Sequence, residues 1–334
     1  MKQVLAADIG GTKTLLQLVE IDLTYQYYKI IQQKKYSSKD YASFEIIVDD
    51  FISICRNKIK KLNSLNACFA IAGPIQTMHQ NTQQASVTNL DWQINSAETC
   101  QRHGLANVRL INDFEAIAHG LRLLDNNDRV VIHQGDYQPN SPKLILGAGT
   151  GLGVCQIIYH NDSYRVIASE GGHSDFAPAN PQQIRLLEFL AKKYAHLSYD
   201  RLLSGLGISN IFSFLVNEYQ KENDAFVYEV KNALDPAEKI SGSTDEQPLA
   251  KETIDIFMSI YGAQAGNFAL TNLPYGGVHI AGGIAPKLIN ELKASDFLKS
   301  FKAKGRMSEL MEKFPVSVIM DTEVGVKGAA VVAC

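Results

Sequence analysis

Gly147-Ala148-Gly149-Thr150-Gly151-Leu152-Gly153 follows the apolar run Leu144-Ile145-Leu146, as a strand does when it turns sharply through glycines. Residue 8 opens a second passage of the same kind, Asp8-Ile9-Gly10-Gly11-Thr12. Glycines allow a tight turn and a close approach to a ligand, and each threonine sets a hydroxyl beside exposed N–H groups. Two such loops form two walls around one phosphate and point to a nucleoside triphosphate. Other nucleotide signatures fail. G-x-G-x-x-G would need glycine at 152 or 154, which hold Leu152 and Val154. Gly11-Thr12-Lys13-Thr14 lacks the upstream G-x-x-x-x-G-K of a P-loop.

A chain of 334 residues exceeds the usual span of one core, so two domains are expected. Net charge is only −3, and no Lys/Arg block exceeds a pair. That excludes the electrostatic footprint of nucleic acid or an anionic membrane as partner and leaves small polar ligands. The cysteines at 55, 68, 100, 155 and 334 are odd in number and lack C-x-x-C spacing, so neither a disulfide framework nor structural zinc is expected. Asp8 interrupts the N-terminal apolar run, and no run reaches membrane-spanning length. A soluble, cytoplasmic protein is expected.

The pattern predicts strands at 4–7, 15–21 and about 25–35, a helix through Phe44, Ile47, Val48, Phe51, Cys55 and Ile59, and a strand at 66–72. A strand at 108–111 ends in Asn112-Asp113, and a helix follows over 114–124. After the second glycine loop a strand at 152–158 returns, so 143–158 repeats the strand-loop-strand order of 4–21 and the chain reads as two related halves. Beyond 182 the pattern is mainly helical, with one stripe through Ile254, Phe257, Met258, Tyr261, Ala265 and Phe268. Residues 235–248 read as a surface loop. A short strand precedes Gly282-Gly283, another spans 316–320, and a small-residue helix over 325–332 returns to the first domain.

Four places can carry chemistry. Asp113, after a strand and before a helix, can accept a proton from a sugar hydroxyl attacking a γ-phosphate, or can simply cap the helix. Glu170-Gly171-Gly172-His173 offers paired hydrogen bonds to a sugar, or is a surface turn with an incidental histidine. His173 has no second ligand at zinc spacing. Asp8 can hold Mg²⁺ directly or through water, or cap the Gly10-Gly11 bend. Gly282-Gly283 can admit an adenine ring against bare backbone, or merely end a strand.

Taken in order, Asp8-Ile9-Gly10-Gly11-Thr12, Leu110-Ile111-Asn112-Asp113-Phe114, the 147–153 loop, Glu170-Gly171-Gly172-His173 with Ser174-Asp175-Phe176-Ala177-Pro178, Leu203-Ser204-Gly205 and Ile280-Ala281-Gly282-Gly283-Ile284 resemble the bacterial glucokinase family over nearly the whole chain. That family belongs to the sugar kinase, actin and heat-shock chaperone ATPase superfamily. The resemblance implies an α/β, two-domain actin-like ATPase (ribonuclease H-like) fold with a cleft between a small and a larger domain. Residues 1–112 with 321–334 form the small domain and 113–320 the large one. The implied reaction is ATP-dependent phosphorylation of D-glucose at O6, giving glucose 6-phosphate and ADP for glycolysis, with Mg²⁺ and commonly as a homodimer. By residue match, Asp113 is the catalytic base, and Asn112, Asp113, Glu170 and His173 bind the sugar. Asp8, Gly10, Gly11 and Thr12 form the first phosphate loop, with Asp8 on the metal. Gly149, Thr150 and Gly151 form the second loop, and Gly282 and Gly283 border the adenosine.

Two departures stand out. Where the family carries a sugar-contacting glutamate before Arg-x-Leu-Ser-Gly, this chain has Asp200, and the shorter carboxylate is expected to weaken the glucose contact or to work through a water. Lys13 replaces a frequent asparagine and is shared with a sister family of repressors and sugar kinases. That sister family bears a Cys/His zinc motif, whereas no cysteine lies between 155 and 334 here. The remaining alternatives are a kinase for another hexose, a sugar-sensing regulator without turnover, and an actin-like or chaperone-like ATPase. The regulator would need a helix-turn-helix ahead of the first strand, and the ATPase would not need the Asn-Asp and Glu-Gly-Gly-His sets.

Overall fold

Alternation along the first strand sends Leu5, Ala7 and Ile9 to one face and Val4, Ala6 and Asp8 to the other. A computed structural model describes residues 1–78 and 82–334, and in it both faces of that strand are covered. Leu5, Ala7 and Ile9 pack with Phe44, Ile47, Val48 and Phe51 of the Phe44–Cys55 helix. Val4 and Ala6 pack with Val326, Ala329 and Ala330 of the Val324–Ala333 helix. Asp8 therefore emerges at the strand end on the side of the second helix.

The described chain divides into two compact units, Met1–Asp128 with Asp321–Cys334, and Arg129–Met320. The Asp113–Gly120 helix, expected to open the large domain, belongs to the first unit, where it packs on the Val324–Ala333 helix. The approach is close: a Cβ on Gly328 would lie 1.7 Å from the Ala116 carbonyl oxygen. Small residues in the last helix are what permit this contact.

In the first unit β1 (Lys2–Ile9), β2 (Lys13–Asp22), β3 (Tyr27–Ser37) and β4 (Asn66–Ile71) precede a small antiparallel sheet of β5 (Ile75–Thr77), β6 (Gln83–Ser86) and β7 (Gln93–Asn95), and then β8 (Asn107–Asn112). The main sheet runs β3-β2-β1-β4-β8, with β1, β4 and β8 parallel. The second unit holds β9 (Arg129–His133), β10 (Lys143–Ala148), β11 (Leu152–His160), β12 (Ser163–Ser169), β13 (Val278–Ala281) and β14 (Val316–Ile319) in the order β12-β11-β10-β13-β14-β9. Removing β9 leaves the order of the first sheet, hairpin for hairpin and crossover for crossover. The two related halves read from the glycine loops are thus present in the strand topology.

Several boundaries differ from the sequence reading. The first helix stops at Cys55, and Ile59 reaches the same core from the following turn. The helix after Asn112 ends at Gly120 and tightens into a 3-10 turn, Leu121–Leu123. Residues 235–248 are not wholly loop: Asp235 Oδ1 accepts the Glu238 N–H at 3.0 Å, Pro236 occupies the first turn, and Ile240 is fully buried, so a short helix forms over Pro236–Ser241. A proline and a capping aspartate start helices as well as loops. No helix of the described residues is long and apolar enough to cross a membrane.

Candidate active site

Register places the first unit's candidate residues along one sheet end. Asp8 pairs with Ala70, and Ile71 pairs with Asn112 across two parallel ladders, so Asp8 and Asn112 stand two strands apart, roughly 10 Å. The Gly10 N–H donates to the Lys13 carbonyl at 2.9 Å and closes the turn that carries Gly11 and Thr12. Thr12 is exposed. A Cβ on Gly325, in the first turn of the last helix, would lie 3.0 Å from Asp8 Oδ2, so the carboxylate sits against a helix N-terminus. That dipole favours the charged form. Burial outweighs it and pushes the Asp8 carboxyl up to about 6.

Asn112, and not Asp113, caps the following helix: its Oδ1 accepts the Phe114 N–H at 2.9 Å. Asp113 is the first helical residue, partly buried, with Oδ1 also within 2.9 Å of the Phe114 nitrogen. The Phe114 N–H is thus shared between the Asn112 cap and the Asp113 carboxylate.

The second loop closes the β10–β11 hairpin, whose last pair is Ala148 with Leu152. The Gly149 N–H bonds the Gly151 carbonyl at 2.8 Å, and Thr150 is exposed at the tip. Three contacts brace it from the same unit. The Ala148 N–H donates to the fully buried Tyr261 hydroxyl at 3.1 Å, the Gly205 N–H to the Gly149 carbonyl at 3.0 Å, and the Leu152 N–H to Asp200 Oδ1 at 2.8 Å. Gly282 lies alongside with φ at +79°, and a Cβ there would meet the Ala148 carbonyl oxygen at 2.4 Å, so only glycine fits. A Cβ on Gly283 would meet nothing within 4 Å. Open space beside backbone is what a flat ring needs.

Glu170 precedes the 3-10 turn Gly171–His173, and both charged-type side chains are exposed, with Glu170 Oε2 4.0 Å from His173 Nε2. The turn packs on the second loop: a Cβ on Gly172 would lie 1.9 Å from the Leu152 carbonyl oxygen. Leu152 therefore joins the glycine loop, the Glu-Gly-Gly-His turn and Asp200. In sum, the first unit gathers Asp8, Gly10, Gly11, Thr12, Asn112 and Asp113. The second gathers Gly149, Thr150, Gly151, Glu170, His173, Asp200, Gly282 and Gly283.

Three supporting residues escaped the sequence reading. In the sequence Tyr261 reads only as part of an apolar stripe. Ser38 and Thr14, both fully buried, hold the first loop: Ser38 Oγ donates to the Gly10 carbonyl at 2.8 Å and lies 3.0 Å from Thr14 Oγ1, while the Ser38 N–H bonds the Thr12 carbonyl at 2.9 Å. The signal lay in register, since Ser37 pairs with Lys13 across the β2–β3 hairpin. Ser38→Ala removes a buried donor and strands its partners, a cost of about 1–3 kcal/mol. A Tm lowered by a few degrees is expected, and a wild-type Tm would show that the loop stands without this brace.

A family model described as Glucokinase matches residues 5–334. The glucokinase of Nostoc punctiforme is 40% identical over 348 residues, covering 100% of this chain and 99% of its own. A glucokinase crystal structure from an Antarctic psychrotroph superposes with a TM-score of 0.83 at 30% identity, covering 100% of this chain and 99% of that one. A ROK family glucokinase from Streptomyces griseus, solved with glucose and AMPPNP, shares the fold at a TM-score of 0.64 and 19% identity, covering 99% of both chains. The fold is the α/β actin-like ATPase type. These full-length matches take in both glycine loops, the Asn-Asp pair and the Glu-Gly-Gly-His turn, and the chain belongs to the glucokinase family.

Proposed function

We propose that this chain transfers the γ-phosphoryl group of ATP to the 6-hydroxyl of D-glucose, giving glucose 6-phosphate and ADP. The observation that carries the reading is Asp113: a carboxylate at a strand end, on a helix N-terminus, beside the Asn112 cap. In the proposed step the Asp113 carboxylate takes the O6 proton as O6 bonds to the γ-phosphorus, and the bond from that phosphorus to the β,γ-bridging oxygen breaks to release ADP. Little covalent help is needed, because phosphoryl transfer depends mainly on positioning and charge stabilisation.

Asn112, Glu170 and His173 are proposed to bind the other sugar hydroxyls. Asp200, the further expected contact, has Oδ1 engaged by the Leu152 N–H, which leaves Oδ2 for any sugar contact. Gly10, Gly11 and Thr12 and the 149–151 loop are proposed to receive the phosphates, and Gly282-Gly283 the adenosine. The Streptomyces griseus glucokinase, solved in complex with glucose and AMPPNP, supports ATP as donor.

Asp8 suits Mg²⁺: a single, partly buried carboxylate at a strand end, whose charge the surrounding protein disfavours, gains from a cation, and magnesium keeps most of its shell as water and phosphate oxygens. When bound, the ion would neutralise charge on the phosphate oxygens. Among the described residues no group of three or more His, Cys, Asp or Glu could hold a metal by itself. A homodimer is proposed from the family resemblance, and sedimentation at twice the chain mass is expected. The five free cysteines, three of them buried, support a cytoplasmic setting.

A coupled ADP-release assay with Mg-ATP against glucose, mannose, fructose, glucosamine and no sugar tests the substrate. Release that depends on glucose is expected. Release only with another hexose would reassign the sugar, and sugar-independent release would replace the kinase by an ATPase.

A further inference from the structure

Asp200 stands where a sugar-contacting side chain was expected, yet its carboxylate is tied to the other half of the reaction. Oδ1 accepts the Leu152 N–H at 2.8 Å, at the point where the second glycine loop becomes β11. The fit is mutual: a Cβ on Gly151 would lie 2.4 Å from the same oxygen, so glycine at 151 leaves the space that the carboxylate fills. Asp200 is itself anchored. It sits in the 3-10 turn Tyr199–Arg201, and its carbonyl accepts Ser204 Oγ–H at 2.8 Å, while Ser204 Oγ accepts the Gly207 N–H at 3.1 Å and caps the Gly205–Glu218 helix. The next residue, Gly205, returns a second bond to the loop through Gly149.

We infer that Asp200 is a positioning residue for the nucleotide phosphates, acting through the second glycine loop. The inference rests on the kinase reading above. Gly205 holds one side of the loop and Asp200 the other, so the amides around Thr150 are set before a phosphate arrives, which lowers the ordering cost of binding. Side-chain length follows from this role. A glutamate would carry its carboxylate farther by one C–C bond, about 1.5 Å, and would leave the position opposite the Leu152 N–H.

The test separates nucleotide from sugar by binding, without turnover. For Asp200→Ala, calorimetry should give a Kd for AMPPNP raised roughly tenfold, the size of one lost charge-assisted hydrogen bond, whether or not the glucose Kd also rises through the loss of Oδ2. Asp200→Asn, which keeps an acceptor at Oδ1, should restore most of the AMPPNP affinity, and Asp200→Glu should not. Hydrogen exchange at the Leu152 amide should be slow in the wild type and Asp200→Asn and faster in Asp200→Ala. A raised glucose Kd with unchanged AMPPNP Kd would make Asp200 a sugar ligand and overturn the inference, as would unchanged values for both. Should Asp200→Ala fail to fold, a wild-type Leu152 amide that exchanges as fast as an exposed loop amide would overturn it equally. Loss of the kinase reading is visible separately, as a wild-type chain that makes no glucose 6-phosphate whatever its AMPPNP affinity.

Discussion

Asp113→Asn is expected to lower kcat by roughly two to four orders of magnitude while leaving the Kd for glucose within a few-fold. The amide matches the carboxylate in shape and can still hydrogen-bond a sugar hydroxyl, but it cannot take a proton at neutral pH. Folding should be little affected, because the helix cap is Asn112, whose Oδ1 holds the Phe114 N–H. The variant therefore separates chemistry from structure. Steady-state kinetics with calorimetry of glucose binding reads both quantities, and turnover within tenfold of wild type would remove Asp113 from the base role.

The second large effect falls on Asp8 and has opposite signs for stability and activity. The carboxyl has an ordinary value of about 4 in an unfolded chain and is pushed up to about 6 by burial in the folded one. A folded value above the unfolded one means that the neutral form suits the fold. That contribution is full below pH ~4 and is lost as pH rises through ~6, a change of about 3 kcal/mol at most. Asp8→Asn keeps the shape without the charge. Without ligand, the variant should melt several degrees above wild type at pH 8, and the gap should shrink toward pH 4. Its kcat should nonetheless fall by two orders of magnitude or more if Asp8 orders the cation on the phosphates. Melting curves at the two pH values and kinetics at saturating Mg-ATP check the pair of signs. A variant no more stable at pH 8 would mean that the charge costs the fold nothing.

Much of this arrangement is legible in the residues because glycine and strand patterns are local. The turn at Gly10-Gly11 and the 149–151 loop follow from short apolar runs ending in glycine, and Asp113 from its place between strand and helix periods. The repeated strand order follows from the same two hairpins. What escaped is set by register or by distant packing. Ser38 reaches the first loop only because β3 pairs with β2 in one alignment, and Tyr261 reaches Ala148 across 113 residues. Asp200 was legible as a position but not as a bond, since its partner is a backbone N–H and carries no side-chain signal. β9 and β12 were missed because their partly exposed residues break the apolar pattern. The helix at Pro236–Ser241 was hidden by the proline and polar residues that begin and flank it.

The fate of the γ-phosphate decides whether the chain is a glucose kinase, and ³¹P NMR with Mg-ATP and the purified chain, with and without glucose, follows it. Glucose 6-phosphate formed in step with ADP, and little inorganic phosphate when glucose is absent, is the predicted result. Inorganic phosphate released at the same rate with or without glucose, and no sugar phosphate, would contradict it.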